Sequence, residues 1–219
     1  MEENRDKFLP DAMPQTEKEL QHDLEQGRVY RLNDKFFKFA FGRPERKSLF
    51  LDLINSIIFP DADGAFVDIT FVDREFSPLR IKGKECRLDI VGTLDGGEQI
   101  NVEVQVRNDG DYEKRSVCNW SIVHFTQFES GMMYVDAQKT ITINILAFDL
   151  LKEEPDFRNS YSIKNDKSGN RLCDDLMIIY LEIPKYRRAK RQPINKLERW
   201  MAYLAGMEGE AMSQIAEKE

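Results

Sequence analysis

The sequence predicts a mixed α/β fold, a central sheet flanked by helices, and three features predict it. A hairpin-like stretch, "CRLDIVGTLDGGEQINVEVQV", joins two runs of branched apolar residues through "DGG". Helical patterns lie before and after it. Beyond the second of these runs the apolar "TITINILAFDLL", so a long helix crosses between the hairpin and the next strand. With 219 residues, 41% of them hydrophobic, the chain is long enough for one domain with a proper core.

Each element has its own signal. In "NDKFFKFAFG", Asn33 or Asp34 can cap a short helix that carries Phe36, Phe37, Phe39 and Ala40 and ends at Gly42. "PERKSLFLDLINSIIF" is amphipathic, with Pro44 in its first turn and a stripe of Leu49, Leu53, Ile54, Ile57 and Ile58. Asp61, Asp63 and Gly64 read as turn residues, because the later acidic ligands of a calcium loop are missing. "AFVDITFVDREF" alternates apolar and polar residues, as a strand does. Over 112–134 the spacing of Val117, Trp120, His124, Phe128 and Met132 is helical, weakened at Gly131. "SYSIKN" and "LMIIYLEIP" predict further strands, and 193–207 a final helix.

The hairpin turn fixes a register. Glycine reaches positive φ without steric cost, so "DGG" is a strong turn signal. A three-residue loop over 95–97 sets Ile90 against Val102 and Leu88 against Val104 on one face, and Asp89 against Glu103 on the other. Gln105, two residues on, shares the acidic face. Directly opposed like charges repel. A shared proton, a nearby Lys or Arg, or a divalent cation would relieve the pair. Mg²⁺, which takes carboxylates, waters and phosphate oxygens, suits the arrangement. A solvent-facing strand edge with accidentally aligned acids is the competing reading.

Charge is unevenly spread. The net charge is −7, but residues 1–27 hold eight acids against three bases and read as an acidic flexible arm. Bases cluster at Arg28, Arg31, Lys35 and Lys38, at Arg43, Arg46 and Lys47, in "RIKGKECR", and most strongly in "KYRRAKRQPINKLER". Such patches can meet phosphates, and each can equally be a solvated face. Cys86, Cys118 and Cys173 form no CxxC pair, which predicts reduced, mostly buried thiols in a cytoplasmic protein. His22 and His124 are too few for a His-based metal cage, and His124 reads as a packed or capping residue. No apolar run is long enough to span a bilayer, and "MEENRDKFLPDAMPQ" lacks a signal-peptide core.

Taken in order, "NDKFFKFAFG", "LFLDLINSII", "INVEVQV", the helix with Arg115, Gln127, Gly131 and Tyr134, "ITINILAFDLL" and "LEIPK" resemble the Rpn family. These are recombination-promoting nucleases with transposase-like members, in the PD-(D/E)XK superfamily. The likeness runs from about Asn33 to Lys185. The pattern of Asp89 with Glu103-Val104-Gln105 resembles that superfamily's active-site hairpin in an ExQ form, with glutamine at the usual lysine position. The resemblance implies a restriction-endonuclease-like core over 28–185, followed over 186–219 by a basic linker and a helical segment. It implies Asp89 and Glu103 as the main metal ligands, Asp34 as a third candidate, and Gln105 as a catalytic residue that orients water. Arg115 and Gln127 become candidate phosphate contacts or braces, beside Lys35 and Lys38 of the first basic cluster. Two departures stand out: Trp120 where members often carry tyrosine, and an end at "AMSQIAEKE" earlier than many relatives, which puts a C-terminal helical extension in doubt.

The expected function is a Mg²⁺-dependent DNA endonuclease, with Mn²⁺ as a substitute ion. An amide has no useful pKa for proton abstraction, so Gln105 can only orient or hydrogen-bond. Replacing lysine by glutamine also removes a positive charge from the transition state. The runner-up is a catalytically weak or inactive nuclease-fold module that binds DNA or a partner protein. Asp89→Ala with Glu103→Ala would leave such a module working and stop an enzyme. RNA is the third reading, since an acid pair does not distinguish the sugar. Cutting both strands of a duplex takes two sites, which makes a homodimer the natural assembly to look for.

Overall fold

The computed structural model describes residues 31–62, 66–72, 88–108, 110–189 and 192–207. The acidic arm, the basic loop over 80–87, Arg28, His22, Cys86, the turn residues Asp63 and Gly64, and the tail from 208 lie outside the described residues.

The chain opens with α1 (Asp34–Phe41), capped by Asn33, whose Oδ1 accepts the Phe36 N–H at 3.2 Å, and closed at Gly42. A single 3₁₀ turn at Pro44–Arg46 leads into α2 (Lys47–Ile58). Six strands follow in one sheet: β1 (Ile69–Phe71), β2 (Ile90–Leu94), β3 (Gln99–Gln105), β4 (Thr140–Leu146), β5 (Arg158–Tyr161) and β6 (Leu176–Glu182), in spatial order β1-β2-β3-β4-β6-β5. The β3–β4 and β4–β6 pairs are parallel and the others antiparallel, so the sheet is mixed. Between β3 and β4 lies α3 (Tyr112–Phe125), the crossover that a parallel pair needs. After β6 come α4 (Ile183–Ala189) and α5 (Lys196–Leu204).

The hairpin takes the register that its turn specifies. Ile90 pairs with Val102 and Gly92 with Ile100, around a loop of Asp95, Gly96 and Gly97. Gly97 has φ +93°, the left-handed position a three-residue loop requires. Gly92 is also required, because a Cβ there would lie 2.7 Å from the Ile69 side chain on β1.

The two faces of the sheet differ in chemistry. Ile141, Ile143 and Ile145 join Ile100, Val102 and Val104 in an apolar layer against Phe37, Phe41, Phe50, Leu53, Ile57, Trp200 and Met201. The opposite face carries Asn101, Glu103, Thr140, Thr142 and Asn144, all buried, and α3 covers it with Tyr112, Ser116 and Asn119. The expected helix pattern holds only in part. Trp120 stacks on His124 and Phe128 meets His124 edge-on, but α3 ends at Phe125 and Val117 is 51% exposed. A polar sheet face selects the helix side that can hydrogen-bond to it.

Three further expectations are corrected. The "basic linker" after Lys185 is helical from Ile183 to Ala189, and Ile183, Tyr186, Leu197 and Trp200 belong to the same core as the strands. Trp200 Nε1 donates to Asp52 Oδ2 at 2.8 Å, which ties α5 to α2. The strand expected in "SYSIKN" ends at Tyr161, before most of that stretch. Cys118 is exposed and Cys173 half-buried, both as free thiols rather than mostly buried ones.

Candidate active site

Asp89 lies just before β2, where the backbone ladder with β3 stops. Side chains take over there. Asp89 Oδ2 accepts the Val104 N–H at 3.0 Å, and Glu103 Oε1 accepts the Asp89 N–H at 3.4 Å. Each carboxylate is thus held by the partner strand's backbone. Asn101, two residues before Glu103 on the same face, donates from Nδ2 to Glu103 Oε1 at 3.0 Å. Its own Oδ1 is buried without a partner among the described residues.

The first helix supplies a cation. Lys38 Nζ lies 2.9 Å from Asp89 Oδ1 and 2.8 Å from Asp34 Oδ1, one helical turn back. The side chain of Asp89 is 14% exposed, that of Asp34 53%, so the pair opens to solvent through α1. Burial works against the Lys38 charge, but the bonds to Asp34 and Asp89 outweigh it and raise its pKa. Asp89 is raised by burial and by the Asp34 charge, against the pull of the Val104 N–H and Lys38. Glu103 is pushed up to about 8 by burial and by Asp89, although Asn101 and Arg115 pull the other way.

A polar network lies behind the acids. Tyr112 Oη donates to Asn144 Oδ1 at 3.1 Å, and Asn144 Nδ2 donates to Ser116 Oγ at 2.9 Å. Asn144 is level with Glu103 on the adjacent parallel strand. Burial and the Glu103 charge both push the Tyr112 hydroxyl upward, which keeps it a donor.

The structure brings Asp34, Lys38, Asp89 and Glu103 together, with the Arg115 guanidinium close enough to favour the Glu103 anion. Gln105 shares the β3 face but its Nε2 donates to the Arg107 carbonyl at 3.0 Å, not to an acid. Lys35 sits exposed on α1. Gln127 is not brought to the acids. Its amide bonds Gln138 and the Thr140 hydroxyl, at the start of β4, and so braces the entry to that strand. Lys38 was legible only as part of a basic cluster; its pairing with Asp89 joins elements about fifty residues apart. Asn101 was missed, although two-residue alternation from Glu103 places it on the acidic face.

Among the described residues, no group of three His, Cys, Asp or Glu side chains is assembled as a metal cage. The donors that are present fit a hard cation nonetheless. Asp89 and Glu103 offer carboxylate oxygens, and the Lys38 ammonium already occupies a cationic position between Asp34 and Asp89. Mg²⁺ sites of this kind hold one or two carboxylates and leave the remaining positions to water and substrate phosphate.

A family model described as a PD-(D/E)XK nuclease family transposase matches residues 31–219. Neither a curated protein nor a solved structure shows significant similarity to the chain. No helix among the described residues is long and apolar enough to cross a membrane.

Proposed function

The chain belongs to the PD-(D/E)XK nuclease family transposases, and from that premise we propose that it is a metal-dependent endonuclease hydrolysing DNA phosphodiesters in recombination or transposition. The observation that carries this is the interlocked pair Asp89–Glu103, buried and braced by each other's strand with a cation from α1 against it. Two carboxyl groups held together in a buried site, with Glu103 raised to about 8, mark a functional-site candidate.

Asp89 and Glu103 would hold Mg²⁺ or Mn²⁺, with Asp34 at the rim. Once bound, the ion supplies Lewis-acid activation of water and charge neutralisation at the phosphate. The rest falls to the chain. Asn101 fixes the Glu103 carboxylate, and the Val104 N–H fixes Asp89. Lys38 supplies the positive charge that the glutamine at position 105 lacks, close to the negative charge that develops on the phosphoryl oxygens. Gln105 orients water through its amide and moves no proton. Arg115 adds a second positive charge from the first turns of α3.

DNA is the substrate class in this reading, with RNA a weaker fit, and a homodimer brings the second site that double-strand cutting needs. The free cysteines support a cytoplasmic setting. The test is calorimetric titration of wild type and Glu103→Gln with Mg²⁺ and Mn²⁺. Binding in the wild type that disappears in the variant supports the assignment. Equal binding in both would remove Glu103 from the metal site.

A further inference from the structure

Three bases of the strongest basic run meet carboxylates in the fold. Lys185 pairs with Glu182, Arg188 with Asp149 and Lys196 with Asp52. In the first cluster Arg31 bonds the Tyr203 carbonyl and Lys38 serves the acids, and in the second Lys47 pairs with Asp68. Arg43 and Arg46 differ. Their guanidinium carbons lie 4.3 and 4.5 Å from the centroid of the Phe39 ring, and neither has a carboxylate partner among the described residues. Glu45, between them in sequence, forms no ion pair with either.

We propose that Arg43 and Arg46, held over Phe39, grip the phosphate backbone of DNA beside the acid pair; this rests on the DNA-endonuclease reading above. Phe39 is a large aromatic left 46% exposed, in a helix whose Phe37 and Phe41 are buried and whose Phe36 is partly buried. It is a platform more than a core residue. Arg46 also donates to the Phe39 carbonyl at 3.1 Å, so both its stacking face and its hydrogen bond hold the fork in place. Guanidinium forks fixed in advance and free of carboxylates suit bidentate contact with phosphate oxygens. The location fits too, since α1 closes at Gly42, where an added Cβ would lie 3.5 Å from the side chain of Ile90, the residue after Asp89, and Arg43 follows directly. A strand lying along α1 would pass from the scissile phosphate onto this pair.

The test is anisotropy of a fluorescein-labelled DNA duplex in a sodium chloride series, on the slow-cleaving Glu103→Gln background. Each phosphate neutralised on B-DNA contributes roughly −0.9 to the slope of log affinity against log salt. Adding Arg43→Gln with Arg46→Gln should flatten the slope by about 2 and weaken low-salt binding at least about tenfold. An unchanged slope overturns the grip while leaving the nuclease reading intact. Failure of the Glu103→Gln parent to bind duplex at all overturns the DNA reading, and the grip with it. Arg46 also caps a backbone carbonyl, so Arg43→Gln alone, which leaves that bond in place, covers the case of a misfolded double variant. It should flatten the slope by about 1, and no change there likewise overturns the proposal.

Discussion

Asp89 and Glu103 hold each other through the backbone: the Val104 N–H reaches Asp89 Oδ2 at 3.0 Å, and the Asp89 N–H reaches Glu103 Oε1 at 3.4 Å. The arrangement lets two buried acids stand side by side where the hairpin ladder ends. It also makes their protonation part of the protein's stability.

Glu103 should make the metal-free protein less stable as pH rises. Its pKa goes from 4.5 to about 8 on folding, so between those values the folded state binds more protons than the unfolded one. The stabilisation is complete below the unfolded value and is lost as pH rises through about 8. Glu103→Gln keeps the shape without the ionisation. In chelator, unfolding free energies of the two proteins from urea titration should nearly agree at pH 4 and separate at pH 8 by roughly a few kcal/mol, on the order set by the shift. Parallel midpoints across that range would contradict a raised Glu103.

Binding of a divalent ion should release a proton at neutral pH, because the ion needs the Glu103 anion. Apparent affinity should rise with pH and level off above about 8. Calorimetry in buffers of different ionisation heat counts the protons released, and a count of zero at pH 7 would be inconsistent with this coupling.

Asn101→Ala removes the bond that positions Glu103 and favours its charge. Supporting residues of this kind are worth roughly 10- to 100-fold in metal affinity. The loss should shrink at high pH, where Glu103 ionises without help, and a pH-independent loss would point to simple misfolding.

Lys38→Met should divide two properties. Removing a half-exposed ammonium from Asp89 should tighten metal binding by roughly 2- to 5-fold, as for a screened ion pair. DNA cleavage should nonetheless fall on the order of 100-fold, since the charge facing the phosphate is gone. Unchanged cleavage would return Lys38 to the role of a counter-ion.

The hairpin and its acids were legible because a local rule fixed them: the left-handed glycine at 97 sets the loop length, and two-residue alternation does the rest. α1 and α2 were legible from caps and apolar spacing. The start of α3 at Tyr112 was legible too, but its end and its buried face were not, because the usual inference assumes an apolar sheet beneath the helix. Here the sheet presents Glu103, Thr142 and Asn144, and the helix answers with Tyr112, Ser116 and Asn119. The "basic linker" misled for a related reason. Lys185 is 7% exposed, and its ammonium meets Glu182 and the Leu151 and Glu154 carbonyls, contacts that depend on tertiary structure.

That internal pair gives a prediction remote from the acids. Glu182 is fully buried, and its Oε1 accepts the Leu150 and Leu151 N–H groups. Glu182→Ala would strand the Lys185 charge and should destabilise the fold by about 3–5 kcal/mol in urea unfolding. A loss under about 1 kcal/mol would mean that solvent reaches the lysine.

The most direct measurement is nicking of supercoiled plasmid by purified wild type, Asp89→Asn and Glu103→Gln, with Mg²⁺ and with chelator. The account predicts nicking by the wild type only with metal, and loss of at least about 100-fold in either variant. Equal nicking by all three proteins, or nicking that persists in chelator, would contradict the assignment of the acid pair as the catalytic centre.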